Sequence, residues 1–285
     1  MKTTGIDTEQ RGVEMSAPAG DMTRAVDPRA TGVTSRSVLA SEWIKLRSLR
    51  SSWWSVTALV MSILLMGAFS AVGIVVQDSP PAAKAIAADP SGGALSGVDF
   101  FAQLAVVALG VLAVTGEYRT GMIRASFTAV PNRHLVVWAK AGVVAAVAAV
   151  ISLVAVLLAF GISAVVLSIE DEAISLFEPG VARAVLGAAV VLGLTGVLGT
   201  AFGWLLRGTA GAVSALVGVL YLLPSVAVLL PGVVSKYLPG SAAGAVAQVT
   251  PPDSGPHPWV GLAVYAGYAA IALALAAVVV RRRDA

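Results

Sequence analysis

Six stretches of the chain, residues 51–77, 100–116, 141–169, 184–206, 208–235 and 254–280, contain no Asp, Glu, Lys or Arg, and each is bounded by a charge on both sides. A charged side chain at bilayer depth costs at least about 2.5 kcal/mol, and about 20 helical residues cross a hydrocarbon core of roughly 30 Å. Five runs are long enough, and the second, 17 residues with Gln103 inside it, is the marginal one. Composition points the same way. Only 12% of the 285 residues are charged and 57% are hydrophobic, whereas a soluble domain carries about 25% charged residues. The expectation is an all-α, polytopic membrane protein with six transmembrane helices, at about residues 52–77, 98–116, 141–168, 184–206, 210–231 and 259–280. A further uncharged run, 237–252, has 16 residues and contains Pro239, Gly240, Pro251 and Pro252. It reads as a surface or re-entrant segment on the outer side.

Orientation follows from the basic residues. With both termini inside, 16 of the 19 Lys and Arg fall on the inner side, and only Lys84, Arg183 and Lys236 lie outside. This satisfies the positive-inside rule. The net charge of +3 is thus a topology signal and not a sign of nucleic-acid binding, and the expected location is the plasma membrane with cytoplasmic termini. All six Trp fall near expected interfaces, Trp43, Trp53, Trp54, Trp138 and Trp204 inside and Trp259 outside, where an apolar ring with a wet N–H is favoured.

Residues 1–33 are polar, mixed in charge and too poor in apolar side chains to bury a core, so they read as a disordered cytoplasmic tail ahead of a membrane domain, 34–285. From Thr34, Leu39, Trp43 and Leu46, joined by Val38 and Leu49, recur at helical spacing, with Glu42, Lys45, Arg47 and Arg50 between them. A basic amphipathic helix of this kind lies in the membrane interface, the alternative being a solvated juxtamembrane helix. Within the fourth run, Gly199 and Gly203 form a GxxxG pair suited to close helix packing. In the fifth, Pro224 should bend the helix near the outer surface.

The membrane part lacks the residues that catalysis or ion coupling requires. No ionisable side chain stands inside the runs except His257 near an end, so a secondary transporter coupled to protons or sodium is disfavoured. The chain has no Cys and two His, and neither a GxSxG elbow nor a GxxxxGK[ST] phosphate loop occurs. No catalytic, metal-binding or cofactor-binding residues are assigned, and the chain is not expected to be an enzyme.

The densest segment outside the spans joins the second and third. It begins Gly116-Glu117-Tyr118-Arg119-Thr120-Gly121-Met122-Ile123-Arg124 and reaches Pro131 and Arg133. Tyr118, Met122, Ile123 and Phe127 are spaced as the apolar face of a short helix that Pro131 ends. Two readings stay open: the stripe docks a partner protein, or it lies on the membrane surface with its arginines on lipid phosphates. For Glu117 the plain alternative is a local ion pair with Arg119 or Arg124.

The pattern Glu-x-x-x-Gly-x-Ile-Arg, followed by Pro-x-Arg and then Lys140 at the mouth of the next helix, resembles the signature of permease subunits of type-two ABC exporters, actinobacterial ones in particular. Ser41-Glu42-Trp43-Ile44-Lys45-Leu46-Arg47-Ser48 is similar to the segment that opens such proteins, and Tyr237-Leu238-Pro239 looks like their outer segment. Met122 departs from the usual Thr, and Ser126-Phe127 stand where Leu residues often occur. The resemblance covers the chain from about Thr34 to its end.

It implies six spans, an N-terminal elbow helix over Leu39 to Arg50, a coupling helix over Tyr118 to Val130 with Glu117 as its hinge, and a re-entrant outer element. It also implies pairing with a second permease subunit, as a homo- or heterodimer, and docking of separate ABC ATPase subunits that carry ATP and Mg. The coupling residues would be Glu117, Tyr118, Arg119, Gly121, Ile123, Arg124, Phe127, Pro131 and Arg133. Those of the elbow would be Glu42, Trp43, Lys45, Leu46 and Arg47. A non-transporting membrane anchor or sensor is the runner-up to this exporter reading.

Overall fold

A computed structural model describes residues 34–76, 100–130, 132–168, 175–226, 232–250 and 255–282. The expected tail, residues 1–33, lies outside the described residues, as do Pro131, Pro251 and Pro252. Every regular element among the described residues is helical. Among the described residues, six helices are long and apolar enough to cross a membrane.

The chain enters through α1, Ser35–Ser48. Thr34 caps it, its side chain accepting the Ser37 N–H at 3.3 Å, which satisfies one of the donors that a helix start leaves over. Leu49, in extended conformation, separates α1 from α2, Arg50–Val76. There follow α3, Phe101–Thr120, the short α4, Met122–Ala129, and α5, Arg133–Leu167. Next come α6, Val181–Leu206, and α7, Thr209–Val226. Two short helices, α8 (Gly232–Lys236) and α9 (Pro239–Ala247), lead to α10, Pro258–Arg282.

Helix α6 is the hub, packing on α3, α5, α9 and α10. Its glycines explain why α3 comes so near. A Cβ on Gly199 would stand 3.0 Å from the Val107 carbonyl oxygen and 3.1 Å from the Gly110 Cα, and a Cβ on Gly110 would stand 2.7 Å from the Gly196 carbonyl oxygen. The GxxxG pair of the sequence is thus a backbone-on-backbone contact, and Gly203 continues it against Val114. A second polar tie sits in the same hub, where the Thr195 hydroxyl and the Tyr265 hydroxyl lie 2.8 Å apart. By contrast, the outward faces of α2, α5 and α10 expose large apolar side chains such as Phe69, Val150, Val165 and Ile271. So much uncovered apolar surface belongs in lipid.

The bend expected from Pro224 takes the form of a π-helical turn, Gly218–Leu222, in which the Leu223 N–H reaches the Gly218 carbonyl. Proline cannot donate to the carbonyl four residues earlier, and widening the turn by one residue accommodates that. The freed Leu220 carbonyl faces Gly240 of α9, where a Cβ would come within 2.7 Å. Pro239 opens α9 at its first turn instead of breaking it. Helix α9 is largely buried, and the Arg183 guanidinium donates to the carbonyls of Val246 and Val249 at 3.1 and 2.9 Å, capping its end.

Helix α5 begins at Arg133, well before the expected start at 141. An isolated charge terminates a span, which places the expected boundary at Lys140; but Lys140 is paired with Glu42 and Glu117, so the helix runs through it.

Candidate functional site

At the end of the bundle where α1 and α4 lie, four charged side chains from three helices converge. Glu42 and Lys45 come from α1, Glu117 from the last turn of α3, and Lys140 from α5. Lys140 Nζ donates to Glu42 Oε2 and, at 2.8 Å, to Glu117 Oε1. Lys45 Nζ donates to Glu42 Oε1 at 2.6 Å and stands 3.2 Å from Glu117 Oε1. A third bond from Lys45 Nζ, 2.9 Å long, goes to the Ser126 hydroxyl of α4. The cluster therefore ties α1, α3, α4 and α5 together.

Local sequence explains how each group arrives. Glu42 and Lys45 are three residues apart on a helix and so share a face. Glu117 is carried inward because α3 is buried against α6. Gly121, at φ 74°, caps α3 and starts α4 at the same time. Only a residue without Cβ adopts that left-handed conformation at low cost, and the sharp turn brings Ser126 back over Lys45.

The electrostatics balance. Glu42, Glu117 and Lys140 are 2 to 4% exposed, so any of them alone would carry a desolvation cost of several kcal/mol. Two carboxylates and two ammoniums cancel, and removing one group leaves a buried charge unpaired. Burial lowers the affinity of Lys45 for its proton, and the neighbouring Glu42 and Glu117 carboxylates more than offset this, so its pKa stands above the ordinary 10.5. Lys45 thus stays charged throughout the physiological range. The cavity among these groups measures about 10 Å³, space for about one water molecule. It is a structural junction and not a pocket for cargo.

Part of the apolar stripe packs within the chain itself. Ile123 is buried in the chain's own core, and Phe127 stacks on Trp204 of α6 with ring centroids 6.1 Å apart. Tyr118 meets the same Trp204 edge-on at 5.8 Å. Arginines close the stack at both ends: the Arg133 guanidinium lies 5.3 Å from the Phe127 ring and that of Arg207 lies 5.1 Å from the Tyr118 ring. Within the stripe, Ile123 is buried, Tyr118 and Phe127 are partly buried, and Met122 stays exposed. What this segment presents outward is Arg119 in the last turn of α3 and Met122, Arg124, Ala125 and Thr128 of α4, all exposed.

Glu117 pairs with neither Arg119 nor Arg124 but with the two lysines. On α1 the buried positions are Val38, Glu42 and Leu46, while Leu39, Trp43 and Ile44 are exposed. Glu42, grouped with the polar face, is a core residue here, and Leu46, grouped with the apolar interfacial face, is buried in the chain, whereas Leu39 and Trp43 of that face are exposed. Trp204, two residues from the end of α6, is fully buried, whereas the other five Trp are exposed. Sequence reasoning missed Lys140 as a site residue and Trp204 as the seat of α4. The one available signal was that Lys140 interrupts an otherwise apolar helical stretch from Leu135 to Leu167. The chain matches no protein-family model and no curated protein sequence.

Proposed function

We propose that the chain is the membrane permease subunit of an ATP-driven exporter of the type-two ABC class, working as a pair of permeases beneath which separate ATPase subunits dock. In this reading both termini are cytoplasmic, α1 is the elbow helix, α4 the coupling helix, and α9 the outer re-entrant element. The observation that carries it is the buried junction of Glu42, Lys45, Glu117 and Lys140, with Ser126 bonded to Lys45. A short helix outside the spans, bonded to α1 through Ser126 and stacked on α6 through Phe127, suits the task of passing a push from a cytoplasmic partner into the membrane. A loosely attached loop would absorb that push.

Docking then falls to the exposed Arg119 at the end of α3 and to Met122, Arg124, Ala125 and Thr128 of α4, because Ile123 and Phe127 are engaged inside. The aromatic stack on Trp204 conveys displacement of α4 to α6, the helix on which most of the bundle packs. Purification of the tagged full chain from its own host's membranes in mild detergent tests the reading. The expected result is recovery with a subunit that carries a phosphate-binding loop and hydrolyses ATP. Recovery of the chain alone, or with a partner lacking that activity, speaks for the anchor or sensor alternative.

A further inference from the structure

Where α1 turns into α2, those helices and the side of α5 enclose a groove of about 330 Å³ whose walls include Trp43, Leu46, Arg47, Trp53, Val56 and Ile151. The corner is held open by its own backbone: the Trp53 indole N–H donates to the Arg47 carbonyl at 3.0 Å, so the groove does not depend on a ligand for its shape. Trp43 and Trp53 are about half exposed or more and flank its mouth, at the level where tryptophan sits among lipid headgroups.

Charge decides what fits. Among the described residues only Glu42, Glu117 and Glu178 are acidic. The first two are bound to Lys45 and Lys140, and Glu178 precedes α6 at the other end of the bundle. Arg47 is therefore left without a carboxylate partner among the described residues, and the exposed Arg50 opens α2 just beyond the extended Leu49. An apolar trough with an uncompensated guanidinium at its rim matches a molecule having a hydrocarbon chain and an anionic phosphate. A guanidinium binds phosphate oxygens in a bidentate fashion.

We infer that this groove is a binding site for an anionic phospholipid, one acyl chain lying along Leu46, Val56 and Ile151 and the headgroup phosphate on Arg47. A zwitterionic lipid fits less well, since its own ammonium approaches Arg47 and Arg50. A soluble anion gains nothing from the apolar walls. The site would tie the α1 corner, and with it the charged junction one helical turn away, to the lipid composition of that leaflet. The inference rests on the membrane-spanning arrangement and is independent of the ATPase-docking reading.

The test uses the full-length chain, purified and stripped of lipid, titrated with dioleoylphosphatidylglycerol, dioleoylphosphatidylcholine or inorganic phosphate. Bound molecules are counted by native mass spectrometry and thermal unfolding is followed in parallel. One phosphatidylglycerol is expected to bind in preference to phosphatidylcholine and to raise the melting temperature, with no effect of phosphate alone. Arg47→Gln should weaken phosphatidylglycerol about fivefold, the scale of one basic contact at a membrane surface, and leave phosphatidylcholine unchanged. Ile151→Trp, which fills the trough, should reduce both lipids at unchanged melting of the lipid-free protein. Equal binding of the two lipids, or binding that neither variant alters, overturns the inference. So does binding of phosphate alone with the same affinity. A groove occupied by another segment of the chain or by a second copy would bind neither lipid, and that result overturns it as well.

Discussion

Lys140 Nζ lies 2.8 Å from Glu117 Oε1, a buried ion pair joining the last turn of α3 to a lysine well inside α5. Breaking such a pair by removing one partner costs about 3 to 5 kcal/mol, whereas replacing both partners by neutral groups is often close to neutral. Lys140→Met should therefore lower the melting temperature of the detergent-purified protein steeply. Lys140→Met combined with Glu117→Gln should recover much of the loss, because the two changes are coupled through one network. Simple additivity of the two variants would contradict the charge-balance account.

The glycine contact between α3 and α6 makes a paired prediction. At Gly110 an added methyl would meet the Gly196 carbonyl at 2.7 Å, whereas at Gly142 of α5 it would meet nothing within 4 Å. Gly110→Ala should destabilise by about 1 to 3 kcal/mol through overpacking. Gly142→Ala should be neutral or slightly stabilising, since alanine is the better helix former by about 0.5 to 1 kcal/mol. Thermal unfolding of the two variants side by side checks the contrast.

Topology is accessible because the native chain has no Cys. Phe177, 97% exposed, stands before α6, and Ala129 ends α4 at the opposite end of the bundle. Phe177→Cys should react with an impermeant thiol reagent in intact cells, and Ala129→Cys only after lysis. The reverse pattern would invert the orientation inferred from the 16 inner basic residues.

The long helices were legible in the sequence because a span announces itself by what it omits: runs free of charge at bilayer length leave few alternatives. The junction was much less so. Glu42 and Lys140 look like surface charges to any reading that assumes polar side chains face out, and each becomes a core residue only because the other is there. The same inversion affects α1, where Trp43 and Leu39 are exposed and Glu42 is buried in the protein. Spacing found the apolar stripe of α4, but spacing alone does not say which neighbour covers it. That neighbour, Trp204, lies some eighty residues away in the chain and was legible only as one more tryptophan near an interface.

The outer and inner faces of α4 allow the exporter reading to be tested most directly, by the amount of ATPase recovered per permease at equal permease level. Charge reversal at the exposed Arg119 and Arg124, together with Met122→Asp, should leave membrane insertion and melting intact but remove most of the co-purified ATPase. Arg124→Lys should retain it. Ile123→Ala with Phe127→Ala should instead lower the melting temperature, because both side chains pack against the chain's own core. An unchanged ATPase-to-permease ratio in the charge-reversed variant, with ATP-driven export retained, would contradict the assignment of α4 as the coupling element.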